Sequence, residues 1–224
     1  MNVLYLNTHD IGRYLQTYGY SVDTPNLLQL SREGMAFSRM YCASPTCSPS
    51  RGALLTGQYP HSNGLIGLSH RGFRMDKRHH LARFLRDNGY ETVLSGVQHE
   101  EKLHEETGIG YERCLNPPEY YRRDMEQCDL YTWQDELAAA NAVRYLKERK
   151  AGERPFFLTA GFGCTHREYP RVPADYETDY VQVPMSLPDL PEIRKDMAGM
   201  KIAVKTVDRL CGDILQALRE CGEY

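Results

Sequence analysis

An unbroken apolar run, Pro155-Phe156-Phe157-Leu158-Thr159-Ala160, stands between two helical stretches and constrains the fold more than any other segment. It has the length of a strand rather than a helix, and its composition is that of a buried one. Ala-rich Gln134–Lys150 before it carries Leu137, Val143 and Leu146 at helical spacing, and about Ala198–Cys221 after it does the same with Val207, Leu210, Cys211, Ile214, Leu215 and Leu218. The same alternation runs back to the start. Asn2–Leu6 reads as a short strand, and Thr24-Pro25 opens a helix, with Thr as N-cap, Pro at the first helical position and Gly34 at the end. Met35–Tyr41 reads as extended, a helix starts near Pro49, another covers His79–Asn88, and Tyr90–Leu94 is the next strand. Strands alternating with helices predict an α/β fold: a mostly parallel sheet with helices on both faces. Residues 100–132 read as an insertion or long loop, and residues 170–191 as a Pro-rich surface excursion.

In such sheets ligands sit beyond the carboxyl ends of the strands. Three polar clusters fall there: His9-Asp10, His99 and His166. The formal net charge of −3, with both signs interspersed, gives no general field for nucleic acid, so an anion site must be local. No apolar run approaches the roughly 18–20 residues that span a bilayer. The first residues lack a basic, apolar leader, so the expected location is cytoplasmic, without a membrane. The seven cysteines are scattered without a CxxC pair, which suggests neither a zinc site nor a disulfide framework.

Cys47 differs from the others by its neighbours. A helix opening near Pro49 leaves free N–H groups and a positive dipole end beside the thiol, a place suited to an anion. Arg51 in the first turn can hold a tetrahedral oxyanion with its planar fork. The residues alone read as a candidate nucleophile with an anion clamp.

Cys47-Ser48-Pro49-Ser50-Arg51, followed by Leu55-Thr56-Gly57, resembles the nucleophile segment of the sulfatases, in the alkaline-phosphatase-like superfamily. The resemblance implies that a maturation enzyme oxidises Cys47 to Cα-formylglycine, whose hydrate attacks sulfur to give a covalent sulfate ester that then collapses. It implies a divalent metal, calcium or alternatively magnesium, held by Asp10, His9 and the modified Cys47. The family typically has two adjacent aspartates where this chain has His9-Asp10. His99 matches the family's base histidine, with Val97 in place of the lysine that contacts sulfate; Gln98 can donate hydrogen bonds and Lys102 lies nearby. His166, before Arg167, matches the histidine that contacts sulfate and protonates the leaving group. Arg51 is the anion clamp.

The order of these pieces looks most like the sulfamidase (N-sulfoglucosamine sulfohydrolase) branch, which implies a sulfated saccharide as substrate. It covers the N-terminal portion of a sulfatase catalytic domain over residues 1–224, with the C-terminal part, and its usual acidic metal pair, missing or supplied by a partner. The expectation is a chain weakly active alone, and oligomeric or poorly soluble. Two other readings stand beside it: a phosphonate or phosphate diester hydrolase of the same superfamily, and a truncated fragment that only binds.

Overall fold

The computed structural model describes residues 1–150 and 152–224. Four strands, β1 (Val3–Asn7), β2 (Glu91–Gly96), β3 (Arg113–Cys114) and β4 (Phe156–Gly161), form one sheet in the order β1-β4-β2-β3, every pair parallel. The apolar run is therefore central. All six residues of β4 are buried, because a strand bonded on both edges and covered on both faces meets no water.

The pleat sorts β4 between two cores. Phe156, Leu158 and Ala160 join Val93 of β2 beneath α5 (Gln127–Glu148) and α6 (Pro191–Glu220), which pack on each other. Phe157 points the other way, with Leu94, Tyr111, Leu65, which follows the short α3 (Pro60–Asn63), and Ala82 of α4 (Leu81–Asp87). Helices thus lie on both faces, as the alternation predicts. β1 is an edge strand and stays half-buried throughout. Among the described residues, no helix is long and apolar enough to cross a membrane.

Several boundaries differ from the sequence reading. The last helix starts at Pro191 rather than 198, since Pro fits a first turn and Ile193, Met197 and Met200 extend the same apolar face. The insertion ends at Glu126, where α5 begins, and it contains β3 on the sheet edge. Met35–Tyr41 forms no strand. Pro25–Glu33 is a helix (α1), but Thr24 does not cap it. Instead Asp208 of α6 accepts the N–H groups of Asn26 and Leu27, at 3.3 and 2.8 Å.

Backbones come closest where β2 and β4 end. A Cβ on Gly161 would lie 2.0 Å from the Val97 carbonyl oxygen, and one on Gly96 (φ +86°) 2.1 Å from that of Gly161. Only glycine permits this approach. Gly161→Ala is expected to lower the unfolding free energy by about 1–3 kcal/mol, because a backbone carbonyl cannot rotate away as a side chain would. An unchanged denaturant midpoint would show that the strand ends have room to part.

Candidate active site

The carboxyl ends of the three long strands are knitted together by their loops. Phe162 N donates to Asn7 O (2.8 Å), Val97 N to Gly161 O (3.0 Å), and Thr165 Oγ1 to His9 O (2.5 Å). Buried Asp135 of α5 accepts the N–H groups of Gly163 and Cys164, each at 2.7 Å, and so fixes the turn that carries His166. Burial pushes its carboxyl up to about 7 despite those donors. Ser69 ties the remaining pieces together: its hydroxyl donates to His99 O (2.9 Å), and its N–H donates to the Ser48 hydroxyl (3.2 Å).

Ser48 belongs to α2 (Cys47–Thr56), which begins at Cys47 itself. Thr46 holds the cap position and Pro49 the third helical position rather than the first. Proline is tolerated there because first-turn N–H groups lack helical partners anyway. Cys47 is half-buried at the helix N-terminus, and Arg51, one turn on, is buried. Its Nη2 has no hydrogen-bond partner among the described residues. An unpartnered guanidinium nitrogen in the interior is rare and costly, and it is what an anion-binding group looks like without its anion.

Arg51 faces the histidines. His9 Nε2 lies 3.2 Å from His99 Nδ1, and the His9 ring centroid lies 5.2 Å from that of His166. Burial, then the charge fields of His9 and Arg51, push His99 down to about 3. Burial also lowers His9. Both rings are therefore neutral near pH 7. Asp10, 3.9 Å from His9 Nδ1, is held below the usual carboxylate range by that histidine. Asp10 and His99 both adopt left-handed backbone, φ +44° and +77°, a conformation that side chains of this kind hold only where surroundings impose it.

The donor atoms of His9, Asp10 and His166 converge within 4.8 Å of one another, and Cys47 is not among them. Two imidazole nitrogens and one carboxylate suit a borderline divalent cation. Calcium takes six to eight oxygens, of which these three residues supply the carboxylate of Asp10 only, so they do not by themselves fit the calcium that the resemblance implies. His166, expected from the resemblance at the sulfate, joins this cluster.

Other residues were not legible as site residues. Glu100 is buried beside Arg51 with an unpartnered Oε2. Its carboxyl is pushed up to about 7 by burial, which the Arg51 charge offsets only in part. In sequence it is one acid in a polar run, and nothing there signals burial. Tyr131 stands edge-on to His166 at 5.6 Å, from a helix with no motif. Gln98 is not available to a ligand, because its amide is spent on Glu101 N and O, both at 2.8 Å. Lys102 is exposed.

A raised carboxyl pKa means that the folded state favours the neutral acid, so the burden of Glu100 is absent below about pH 4.5 and grows as pH rises towards 7. Glu100→Gln is expected to leave stability unchanged at pH 4 and to raise it at pH 8, with a ceiling near 3 kcal/mol at about 1.4 kcal/mol per pKa unit. Thermal unfolding at the two pH values checks this, and equal effects at both would refute it.

A family model described as Sulfatase matches residues 1–224. The chain is 31% identical over 208 residues to N-acetylgalactosamine-6-sulfatase of Canis lupus familiaris, covering 74% of this chain and 40% of the relative. It is 28% identical over 249 residues to the N-sulphoglucosamine sulphohydrolase of Homo sapiens, covering 99% of this chain and 47% of the relative. The crystal structure of a putative sulfatase from Bacteroides fragilis superposes with a TM-score of 0.75 at 20% identity, over 99% of this chain and 59% of that one, and so shares the fold. The chain thus spans less than half the length of these curated relatives. With the Cys47 segment at a helix N-terminus and the match running from end to end, the chain belongs to the sulfatase family.

Proposed function

We propose that this chain carries the sulfur-transfer part of a hydrolase acting on sulfate esters or sulfamates of a sulfated sugar. The observation that carries the reading is Arg51: a buried guanidinium with an unpartnered nitrogen, one helical turn from Cys47. A sulfuryl group brings the oxygens that nitrogen lacks, and the α2 N-terminus adds to the same positive end. Formylglycine at position 47, formed by a maturation enzyme, supplies a hydrated aldehyde as the nucleophile towards sulfur. Arg51 binds and orients the sulfuryl oxygens as charge moves onto them. His99, which leaves the end of β2 beside His9, accepts a hydroxyl proton at a ring nitrogen. His166, at the less buried mouth, gives a proton to the departing oxygen or nitrogen.

A divalent cation at Asp10 and His9 would polarise a sulfuryl oxygen as a Lewis acid, leaving the ring of His166 free for its proton. Calcium or magnesium, which the resemblance implies, would need oxygen ligands from outside the three-residue cluster besides Asp10.

Coexpression with a formylglycine-generating enzyme is expected to give a Cys47 peptide with the mass loss that replacing a thiol by an aldehyde requires. Aryl-sulfate turnover is then expected to vanish in Cys47→Ala and to fall about 10²–10⁴-fold in His99→Ala. A thiol left intact, or turnover that survives Cys47→Ala, overturns the reading, and faster turnover of an aryl phosphonate moves it to phosphonate hydrolysis. For the cation, zinc or manganese is expected to raise the thermal midpoint of this chain more than calcium does, with the gain lost in Asp10→Asn. A larger calcium effect would show that oxygen ligands outside the cluster complete the site.

A further inference from the structure

The turn that presents His99 is tied down by side chains that the proposed reaction does not use. His99 holds φ +77°, a conformation disfavoured for a residue with a Cβ, so its surroundings must keep it there. Gln98 does so from within the turn. Its Oε1 accepts Glu101 N and its Nε2 donates to Glu101 O, both at 2.8 Å, so residues 98–101 close into a ring through one buried amide. His99 and Glu100 lie between the two ends of that ring, and Glu100 is thereby kept in the interior.

Glu101 anchors the ring from outside the turn. Its side chain is only 1% accessible, which is costly for a carboxylate unless the charge is paired. Lys77 Nζ pairs with its Oε2, Arg74 Nη1 lies 3.4 Å from Oε1, and Lys102 N donates to Oε1 at 3.0 Å. Burial works against the charge, yet Lys77, the Lys102 N–H and Arg74 together hold the carboxyl below its usual range. Both cations come from the segment that follows Ser69, and Arg74 also donates to Ser69 O at 3.0 Å. Ser69 in turn reaches His99 O and the Ser48 hydroxyl. The clamp therefore joins the His99 turn to the helix that begins at Cys47. A buried ion pair is a weak source of stability, since an apolar group of the same volume does as well; what it supplies here is one fixed geometry.

We propose that Gln98 and Glu101 are positioning residues, which with Lys77, Arg74 and Ser69 fix the His99 ring against His9 and relative to the N-terminus of α2. The inference rests on His99 being the base of the proposed hydrolysis.

Nitrogen NMR of the full chain, labelled at its histidine rings, reads that placement without turnover. The 3.2 Å contact between His9 Nε2 and His99 Nδ1 is expected to give a shared-proton signal with coupling between the two nitrogens. Gln98→Met keeps the length of the side chain and removes its amide, and it is expected to abolish the signal. Glu101→Gln keeps an acceptor for Lys102 N and removes the charge, and it is expected to weaken the signal. In the formylglycine form, aryl-sulfate kcat is expected to fall about 10²-fold in Gln98→Met with KM unchanged, the pattern of a misplaced base. Asp208→Ala is the control for stability alone. It removes the cap of α1, and is expected to lower the thermal midpoint while leaving signal and kcat as they are. Should Gln98→Met not fold, Ser69→Ala removes the bond to His99 O with less disturbance, and both readouts are expected to fall. Absence of the signal from the parent, persistence of either signal or kcat in the folded variant, or an equal loss of kcat in Asp208→Ala overturns the proposal. A signal that depends on Gln98 in a chain that never turns over aryl sulfate would instead keep the clamp and sink the hydrolytic reading.

Discussion

Everything at the site depends on β4 being clasped between β1 and β2 closely enough for backbone to touch backbone. The strand carries the whole of its length into two cores, and its end meets β2 at Gly96 and Gly161, where a methyl group has no room. Because the sheet is parallel, this contact brings three loops out on the same edge. One loop delivers His9 and Asp10, the second His99, the third His166. The distances between the rings are consequences of strand spacing, and the loops only adjust them through the Asn7, Gly161 and His9 carbonyls.

Packing at that density sets the electrostatics. Four groups around the pocket move towards their neutral forms, His9 and His99 downward and Glu100 and Asp135 upward, all with burial as the leading cause, while half-exposed Asp10 is held ionised by His9. Arg51 cannot follow, because a guanidinium does not give up its proton in a protein. What remains is a pocket with one fixed positive charge, one carboxylate at Asp10, and its buried neighbours largely discharged. Such a pocket attracts an anion without any net positive charge on the molecule, whose overall balance is −3.

The sequence made the parallel architecture legible because apolar runs of strand length alternate with 3.6-residue patterns, and it made the three histidines legible because polar residues follow those runs directly. The Cys47 segment was readable because its spacing is a local property of one helical turn. What stayed hidden was set by distant partners. Thr24 has the composition of a cap, yet Asp208, 182 residues beyond Asn26, does the capping. Nothing in the sequence marks Glu100 or Asp135 as buried, and only tertiary placement buries them. β3 is two residues long, too short for any pattern, and exists because the edge of β2 offers it hydrogen bonds. The start of α6 was misplaced because proline-rich context masked the first apolar turn.

The discharged pocket also settles how Glu100 and an anion coexist. Both draw on the same guanidinium, since Arg51 is the one charge that lowers the Glu100 carboxyl against its burial. An anion seated on Arg51 cancels part of that help, so the acid is held more firmly neutral while the anion is present. The converse follows by linkage: ionised Glu100 weakens the hold of Arg51 on an anion, and neutral Glu100 strengthens it. The sequence neighbour of the histidine that faces Arg51 is therefore no bystander in the core. Its burial sets how much of the Arg51 charge is left for an anion.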